Sequence, residues 1–345
     1  MGSMRIVDPR VDPDWATLSA RGSLFSSPRW LRALADTYGF DVKAALYANA
    51  ESPSAGVPFA LIEDALGTRV SSLAFSDYCD PIGADAASWP LLADAILAAE
   101  APVRLRCLHA EAPLADPRFE LVGEAAWHAV DITRDAEEIW ASISGAARRG
   151  IRKARAREVT VRVADDTASI ELFHSLHSQV RSRKYRLLAQ PLAFFERLRA
   201  EFASSGDLAV LIAEADGVAV AATLFLVWQD TLYYKFNASR ADALDVRPND
   251  LLIWSGIEHG KRLGLSRLDF GLSDFDQPGL ISFKEKYATE SGRISALSDK
   301  GPHERPLHAE DVRAILSELT ELFTDEGVPA ELTRLAGERL YRYFA

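Results

Sequence analysis

Six cations fall within the ten residues 148–157: Arg148, Arg149, Arg152, Lys153, Arg155 and Arg157. A helix C-terminus favours cations through its dipole, but six exceed what capping requires. On a helix, Arg148 with Arg152 and Arg149 with Lys153 are like-charged i,i+4 pairs that repel. An anionic partner such as a phosphate would relieve the repulsion, and a solvated basic face is the plainer alternative. A second set, Arg181, Arg183, Lys184 and Arg186, brackets the end of a later helix.

Proton and charge chemistry could come from four other places. In Tyr233-Tyr234-Lys235 a strand would send alternate side chains to opposite faces. The Tyr234 phenol could then give a proton to a leaving group or pack with its hydroxyl hydrogen-bonded. Lys284 sits early in a short helix, beside Glu285 and Lys286, where a lysine is ordinarily solvated. Asp77 and Asp80 lie in the loop Ser76–Pro81, whose composition suits a turn. Asn249 and Asp250 follow Pro248 at a helix start and are expected to cap it. His174 and His177 share a helix face without a third ligand, which favours packing or surface roles. No zinc spacing, Ser-His-Asp arrangement or GxSxG elbow is present.

The elements that must position these residues read as α/β. In the first part, a helix over 28–38 opens at Ser27-Pro28 and ends at Gly39. Strands are expected over 42–48, 57–63, 69–75, 103–109 and 127–132, with a helix over 89–100. A charged helix over 135–158 has acids in its first turn and weak points at Gly145 and Gly150. Then follow a strand over 159–163, helices over 167–183 and 191–203, and a β-hairpin over 208–228 turning at Ala215-Asp216-Gly217. A strand at 231–236, a polar turn, a helix from 249 to 263 and a strand at 267–271 form a crossover unit. A short helix from Gly279 carries Phe283-Lys284, 294–298 is the last strand, and helices over 308–323 and 329–343 finish the chain. A helix N-terminus at the end of a strand is a ready anion site, and open α/β sheets bind ligands at the C-terminal ends of strands.

Bulk properties bound the class. At 345 residues the chain suits two domains, and 48% hydrophobic with 26% charged residues is ordinary globular composition. The net charge of −11 disfavours general nucleic-acid binding. Two cysteines, Cys79 and Cys107, point to a reducing, cytoplasmic setting. No run reaches the ~20 apolar residues of a membrane span. Met1-Gly2-Ser3 ahead of Met4 reads as an expression remnant.

The wording of 231–286 is more specific than its pattern. A tyrosine pair with Lys235, Pro248-Asn249-Asp250-Leu251-Leu252-Ile253-Trp254, Asp269-Phe270-Gly271 and Phe283-Lys284 occur in order. Together with Arg148-Arg149-Gly150-Ile151-Arg152-Lys153-Ala154 upstream, they resemble the Fem-like, BioF2-like branch of the GNAT acyltransferases. The resemblance covers about 131–299. It implies two tandem GNAT-like halves with a cleft between them, 4–132 and 133–300, and a helical segment 301–345 returning to the first half.

The resemblance further implies N-acyl transfer from an acyl-CoA or an aminoacyl-tRNA to an amine acceptor, in cell-envelope, exopolysaccharide or secondary metabolism. Lys284 would stabilise the developing oxyanion, Tyr234 would donate a proton, and Asp77 or Asp80 would act on the acceptor side. Arg148, Arg149, Arg152, Lys153, Arg186, Lys235, Asn249 and Asp250 would lie on the donor side. No metal is expected. The segment 245–250 lacks the glycines of the usual pyrophosphate-binding turn, and Pro248 removes an N–H donor. This departure disfavours the usual mode of CoA binding and keeps tRNA open as the donor. A non-catalytic scaffold or binding module for a polysaccharide or nucleotide-linked precursor is the alternative.

Overall fold

The computed structural model describes residues 2–49, 52–303 and 307–345. These group into two compact units: residues 1–127 with 292–316 and 342–345, and residues 128–291 with 317–341. The division falls inside two strands, so each unit is built from discontinuous chain.

The first unit opens with β1 (Ser3–Val7), α1 (Pro13–Ser19) and α2 (Pro28–Tyr38). Ser27 caps α2 by accepting from the Trp30 N–H, and Gly39 closes it in the left-handed region, as the Pro/Gly punctuation predicts. β2 (Asp41–Asn49), β3 (Ser52–Asp64) and β4 (Gly67–Ser71) follow as an antiparallel meander. β4 is shorter than the expected 69–75, because Leu73 and Phe75 take positive φ (76° and 61°), incompatible with a continuing strand. α3 (Trp89–Leu97) leads to β5 (Val103–Cys107), which lies parallel to β4. α4 (Ala112–Ala115) then precedes β6 (Phe119–Asp131). Trp89, Ile96, Phe59 and Leu105 centre this unit's core.

In the second unit, the expected helix over 135–158 is two helices: α5 (Ala136–Ser142) and α6 (Gly145–Ala156). The break is at Ile143-Ser144, both extended, where Ser144 caps α6 by accepting from the Ala147 N–H. β7 (Thr160–Ala164), α7 (Thr167–Tyr185), α8 (Leu192–Phe202), β8 (Leu208–Ala215), β9 (Val218–Trp228) and β10 (Thr231–Ser239) come next. α9 (Pro248–Arg262), β11 (Arg267–Asp274) and α10 (Pro278–Glu285) complete the crossover. The strands run β6-β11-β10-β9-β8-β7, with β10 and β11 parallel and the pairs from β7 to β10 antiparallel. Phe225, Leu252, Ile257, Phe270 and Tyr287 lie in its core. Gly256 of α9 sits directly over the Phe225 ring, where a Cβ would be 2.6 Å from Cζ.

β12 (Glu290–Asp299), α11 (Ala309–Phe323) and α12 (Ala330–Leu340) end the chain. β12 pairs antiparallel with β5 in the first unit. The terminal helical segment was expected to return as a whole to the first half. It divides instead: 317–341 groups with the second unit. Two contacts there account for this. Gly337 rests against the Ala189 carbonyl, and Arg186 donates to the Thr324 carbonyl at 2.5 Å.

His174 and His177 of α7 are packing residues, as the missing third ligand predicts. His174 Nε2 is 3.0 Å from the Gln190 carbonyl and His177 Nε2 is 2.7 Å from Gln190 Oε1. Phe173, Phe195 and Phe236 surround the His177 ring. Burial pushes the His177 pKa down to about 3. An unfolded histidine titrates near 6.5, so below that pH the unfolded chain takes up a proton that the folded chain refuses. This contribution is intact above pH 6.5 and is lost as pH falls toward 3. The unfolding free energy of wild type should therefore fall more steeply from pH 6.5 to 4 than that of His177→Gln. The extra slope is up to about 1.4 kcal/mol per pH unit, measurable by urea titration. Equal slopes would contradict the assignment. A second outcome concerns packing: Gly256→Leu should lower the unfolding free energy, read by urea titration, by about 1–3 kcal/mol through overpacking against Phe225.

Candidate functional site

β10 and β11 pair over three residues only, Thr231–Tyr233 against Arg267–Asp269. Beyond Tyr233 and Asp269 they part. Two local features produce the opening. β10 carries a register shift against β9 between Tyr234 and Phe236, so that Lys235 is the extra residue of a bulge. In β11, Gly271 adopts φ +63° and its N–H turns onto the Asp269 carboxylate at 2.6 Å. Glycine is what this backbone needs.

Lys284 of α10 occupies the end of β11. The residue is 4% exposed, contrary to the ordinary expectation for a lysine, and its ammonium donates to the Leu272 carbonyl at 2.8 Å and reaches the Gly271 carbonyl at 3.4 Å. A buried cation is thus held by backbone dipoles just past the last paired residue. Tyr234, at the bulge, lies edge-on to Phe225 and Phe270. Burial, with a smaller contribution from Tyr185, pushes its phenol above the usual range, so it stays protonated. The structure therefore brings Tyr234 and Lys284 to the same part of the unit. Lys235 places its ammonium over the Phe236 ring, 5.4 Å from the centroid.

The start of α9 differs in detail from the expected cap. Arg247, in the left-handed region, is the N-cap, and Asn249 and Asp250 lie inside the first turn. Asn249 ties the helix to β10: its Nδ2 donates to Ser239 Oγ at 3.2 Å and its Oδ1 accepts from Asn237 at 3.3 Å. Asp250 is 6% exposed and accepts from the Tyr287 hydroxyl at 2.5 Å. Burial and the Asp250 charge hold that phenol far above its usual range. On the other side Gly150 of α6 meets the same carboxylate, where a Cβ would stand 2.6 Å from it. Both Asn249 and Asp250 are thus committed to internal contacts. Tyr287 was not singled out in the sequence, and its spacing from Lys284 carried no signal of a partner 37 residues away.

The basic cluster separates by role. Arg148 donates to the Trp140 and Ala141 carbonyls at 3.2 and 2.9 Å, closing the C-terminus of α5. Arg152 stacks over Trp140, and Arg155 pairs loosely with Glu258 at 3.8 Å. Arg186 is the left-handed C-cap of α7 and reaches Thr324 and Asp325, so its expected donor-side place gives way to a tie between α7 and the terminal helices. Arg149 and Lys153 remain on the exposed face of α6, flanking the turn in which Gly150 touches the start of α9.

Asp77 and Asp80 belong to the first unit. Asp80 Oδ1 accepts the N–H groups of Leu108, His109 and Ala110 at 2.8, 3.0 and 3.0 Å. Among the described residues no group of His, Cys, Asp and Glu could hold a metal ion, and no helix is long and apolar enough to cross a membrane.

Residues 142–284 match the family of acetyltransferase (GNAT) domains, a segment that runs from the end of α5 to Lys284. The matched segment lies within the second unit and carries most of the motifs on which the resemblance rests. Among solved structures it is similar to FemX, with 12% identity, a TM-score of 0.62, and coverage of 85% of this chain and 96% of that one. It is also similar to L-PGS from Bacillus licheniformis, at 16% identity and TM-score 0.55, covering 90% and 97% of the two chains. A tandem GNAT protein from the clavulanic acid biosynthesis pathway matches at 8% identity and TM-score 0.54, covering 88% and 100%. At these identities the likeness is one of fold, and it is the Fem-like, tandem GNAT fold. No curated protein matches the chain.

Tyr287→Phe should cost about 1–3 kcal/mol, the usual penalty for leaving a buried acceptor without its donor. Adding Asp250→Asn should recover part of that loss, because the uncompensated charge is then removed. Strictly additive losses in urea titrations would show that the pair is not coupled.

Proposed function

We propose that the chain is an N-acyltransferase that moves an acyl or aminoacyl group from an activated donor to an amine. The observation that carries this reading is the parting of β10 and β11 with the Lys284 ammonium held beside it. Strand edges freed beyond Tyr233 and Asp269 can take up an extended, amide-bearing donor arm as an added strand. Its reactive carbonyl would then lie near a buried cation and a protonated phenol.

In the proposed step, the acceptor nitrogen attacks the acyl carbon and a C–N bond forms. The oxyanion that develops is stabilised by Lys284 in a low-dielectric setting, where such charges contribute most. As the C–S or C–O bond to the donor breaks, Tyr234 gives its proton to the leaving sulfur or oxygen. The proton shed by the acceptor nitrogen restores the phenol. No covalent enzyme intermediate is needed, and positioning supplies much of the rate.

The phosphates of the donor are assigned to Arg149 and Lys153 rather than to the amides at the start of α9. Asp250 already places a carboxylate in that first turn, and its charge opposes a pyrophosphate there. A basic α6 face crossing at Gly150 supplies the alternative. Acyl-CoA and aminoacyl-tRNA both present phosphates of this kind. An envelope-precursor or other small amine is the acceptor class that the Fem-like resemblance favours.

Product formation should be assayed with acetyl-CoA, a longer acyl-CoA and charged tRNA against a panel of amines. Lys284→Met is expected to lower kcat about 100-fold, with circular dichroism unchanged. Arg149→Glu with Lys153→Glu should raise the donor KM at least about tenfold and leave kcat within about twofold. A productive acyl-CoA identifies the CoA branch, and a productive charged tRNA identifies the aminoacyl branch. Absence of product from every donor, with no donor binding by calorimetry, would leave a scaffold and overturn the enzyme reading.

A further inference from the structure

One titratable side chain of the second unit has no part in the step proposed above. His128 lies in β6, which neighbours β11 in the sheet. Strand alternation puts it on the same face as Val130 and Ile132, and these pack in the core that holds Phe270 and Tyr287. The residue is 4% exposed. Lys284, whose ammonium rests on the end of β11, is close enough to act on the ring electrostatically.

The two ring nitrogens stand in different surroundings. Nδ1 is sealed from solvent, and among the described residues it has no hydrogen-bond partner. Nε2 is not sealed, and among the described residues no hydrogen bond engages it. An orphaned N–H is rarer in protein interiors than an under-used acceptor. The sealed Nδ1 is therefore the bare lone pair, and Nε2 carries the hydrogen. A second proton would have to enter at Nδ1, where it would find no acceptor and would face the Lys284 charge. Burial first, and Lys284 second, hold the imidazole pKa below its usual value, with Glu285 opposing them. The ring is thus a neutral donor through Nε2 and a poor base. A charged and a neutral donor close together suit an oxygen that acquires negative charge.

We infer that His128 is a further catalytic residue, donating its Nε2–H to the oxyanion that forms on the acyl carbonyl beside Lys284. The inference rests on the transferase reading. As the amine attacks, the carbonyl π electrons move onto oxygen and the Nε2–H hydrogen bond tightens on it. When the C–S or C–O bond breaks, the carbonyl reforms and that bond relaxes. No proton leaves His128, and the proton transfers through Tyr234 are unchanged.

The test compares wild type, His128→Gln, His128→Met and Lys284→Met, using the donor and amine that give product. Glutamine offers an amide N–H in place of Nε2–H, whereas methionine has nearly the same shape and no donor. His128→Met should lower kcat about 100-fold, with the donor KM within about twofold. His128→Gln should keep at least about a tenth of the wild-type kcat. Nitrogen NMR of the wild-type ring should show a neutral imidazole protonated at Nε2 at about pH 7, and the ring should titrate at higher pH in Lys284→Met. The NMR measurement needs neither donor nor product, so it decides the matter even if His128→Met fails to fold. Full activity in His128→Met, with Lys284→Met impaired, would overturn the inference and leave the transferase reading standing. Equal losses in the two His128 variants, a hydrogen on Nδ1, or a titration unmoved by Lys284→Met would each overturn it as well. A wild type that makes no product from any donor overturns the transferase reading and this inference with it.

Discussion

Two parallel strands that pair for three residues and then diverge create a problem that the rest of the second unit is arranged to meet. Backbone groups inside a protein must find partners, and divergence of β10 from β11 takes their common ladder away. At the end of β11 the answer is local: Asp269 turns inward to take the Gly271 N–H, and Lys284 comes from the next helix to sit on the Gly271 and Leu272 carbonyls. The same ammonium that satisfies backbone acceptors also leaves a buried positive charge beside the opening. The structural need explains the burial of a lysine to 4% exposure, and the proposed reaction gives the same side chain its chemical use.

The start of α9 is the second fixed point. Asp250 is gripped from two sides, by the Tyr287 hydroxyl and by the close approach of Gly150. A side chain at position 150 would push α6 away, so the glycine that weakens α6 as a helix permits its packing. This contact brings the cationic face of α6 to the place where many α/β proteins bind phosphate on helix amides. In the proposed reading the charge requirement is the same, and the side chains of Arg149 and Lys153 meet it.

Much of this was legible in the sequence, and the failures have physical causes. The crossover from β10 through α9 to β11 was visible because apolar periodicity, Pro248 and Gly264 mark its parts within a short span. The break between α5 and α6 was expected from Gly145, although the extended pair Ile143-Ser144 makes it. Tertiary partners were hidden. Arg148 and Arg186 looked like ligand-binding cations, yet each reaches a carbonyl, on α5 for Arg148 and 138 residues away for Arg186. Asp80 reads from sequence as a loop carboxylate, and its three N–H partners become evident only when β5 has folded beside it. The bulge at Lys235 and the early end of the β10–β11 ladder leave no mark in composition, since they are properties of register.

The central claim is that the divergent edges of β10 and β11 receive the donor. Backbone hydrogen exchange, read by mass spectrometry with and without saturating donor, addresses it directly. Protection of the amides of Tyr234–Ser239 and Phe270–Asp274 on donor binding, with Thr231–Tyr233 unchanged, is the predicted result. Donor binding that leaves both stretches unprotected, or protects another part of the chain alone, would contradict the account.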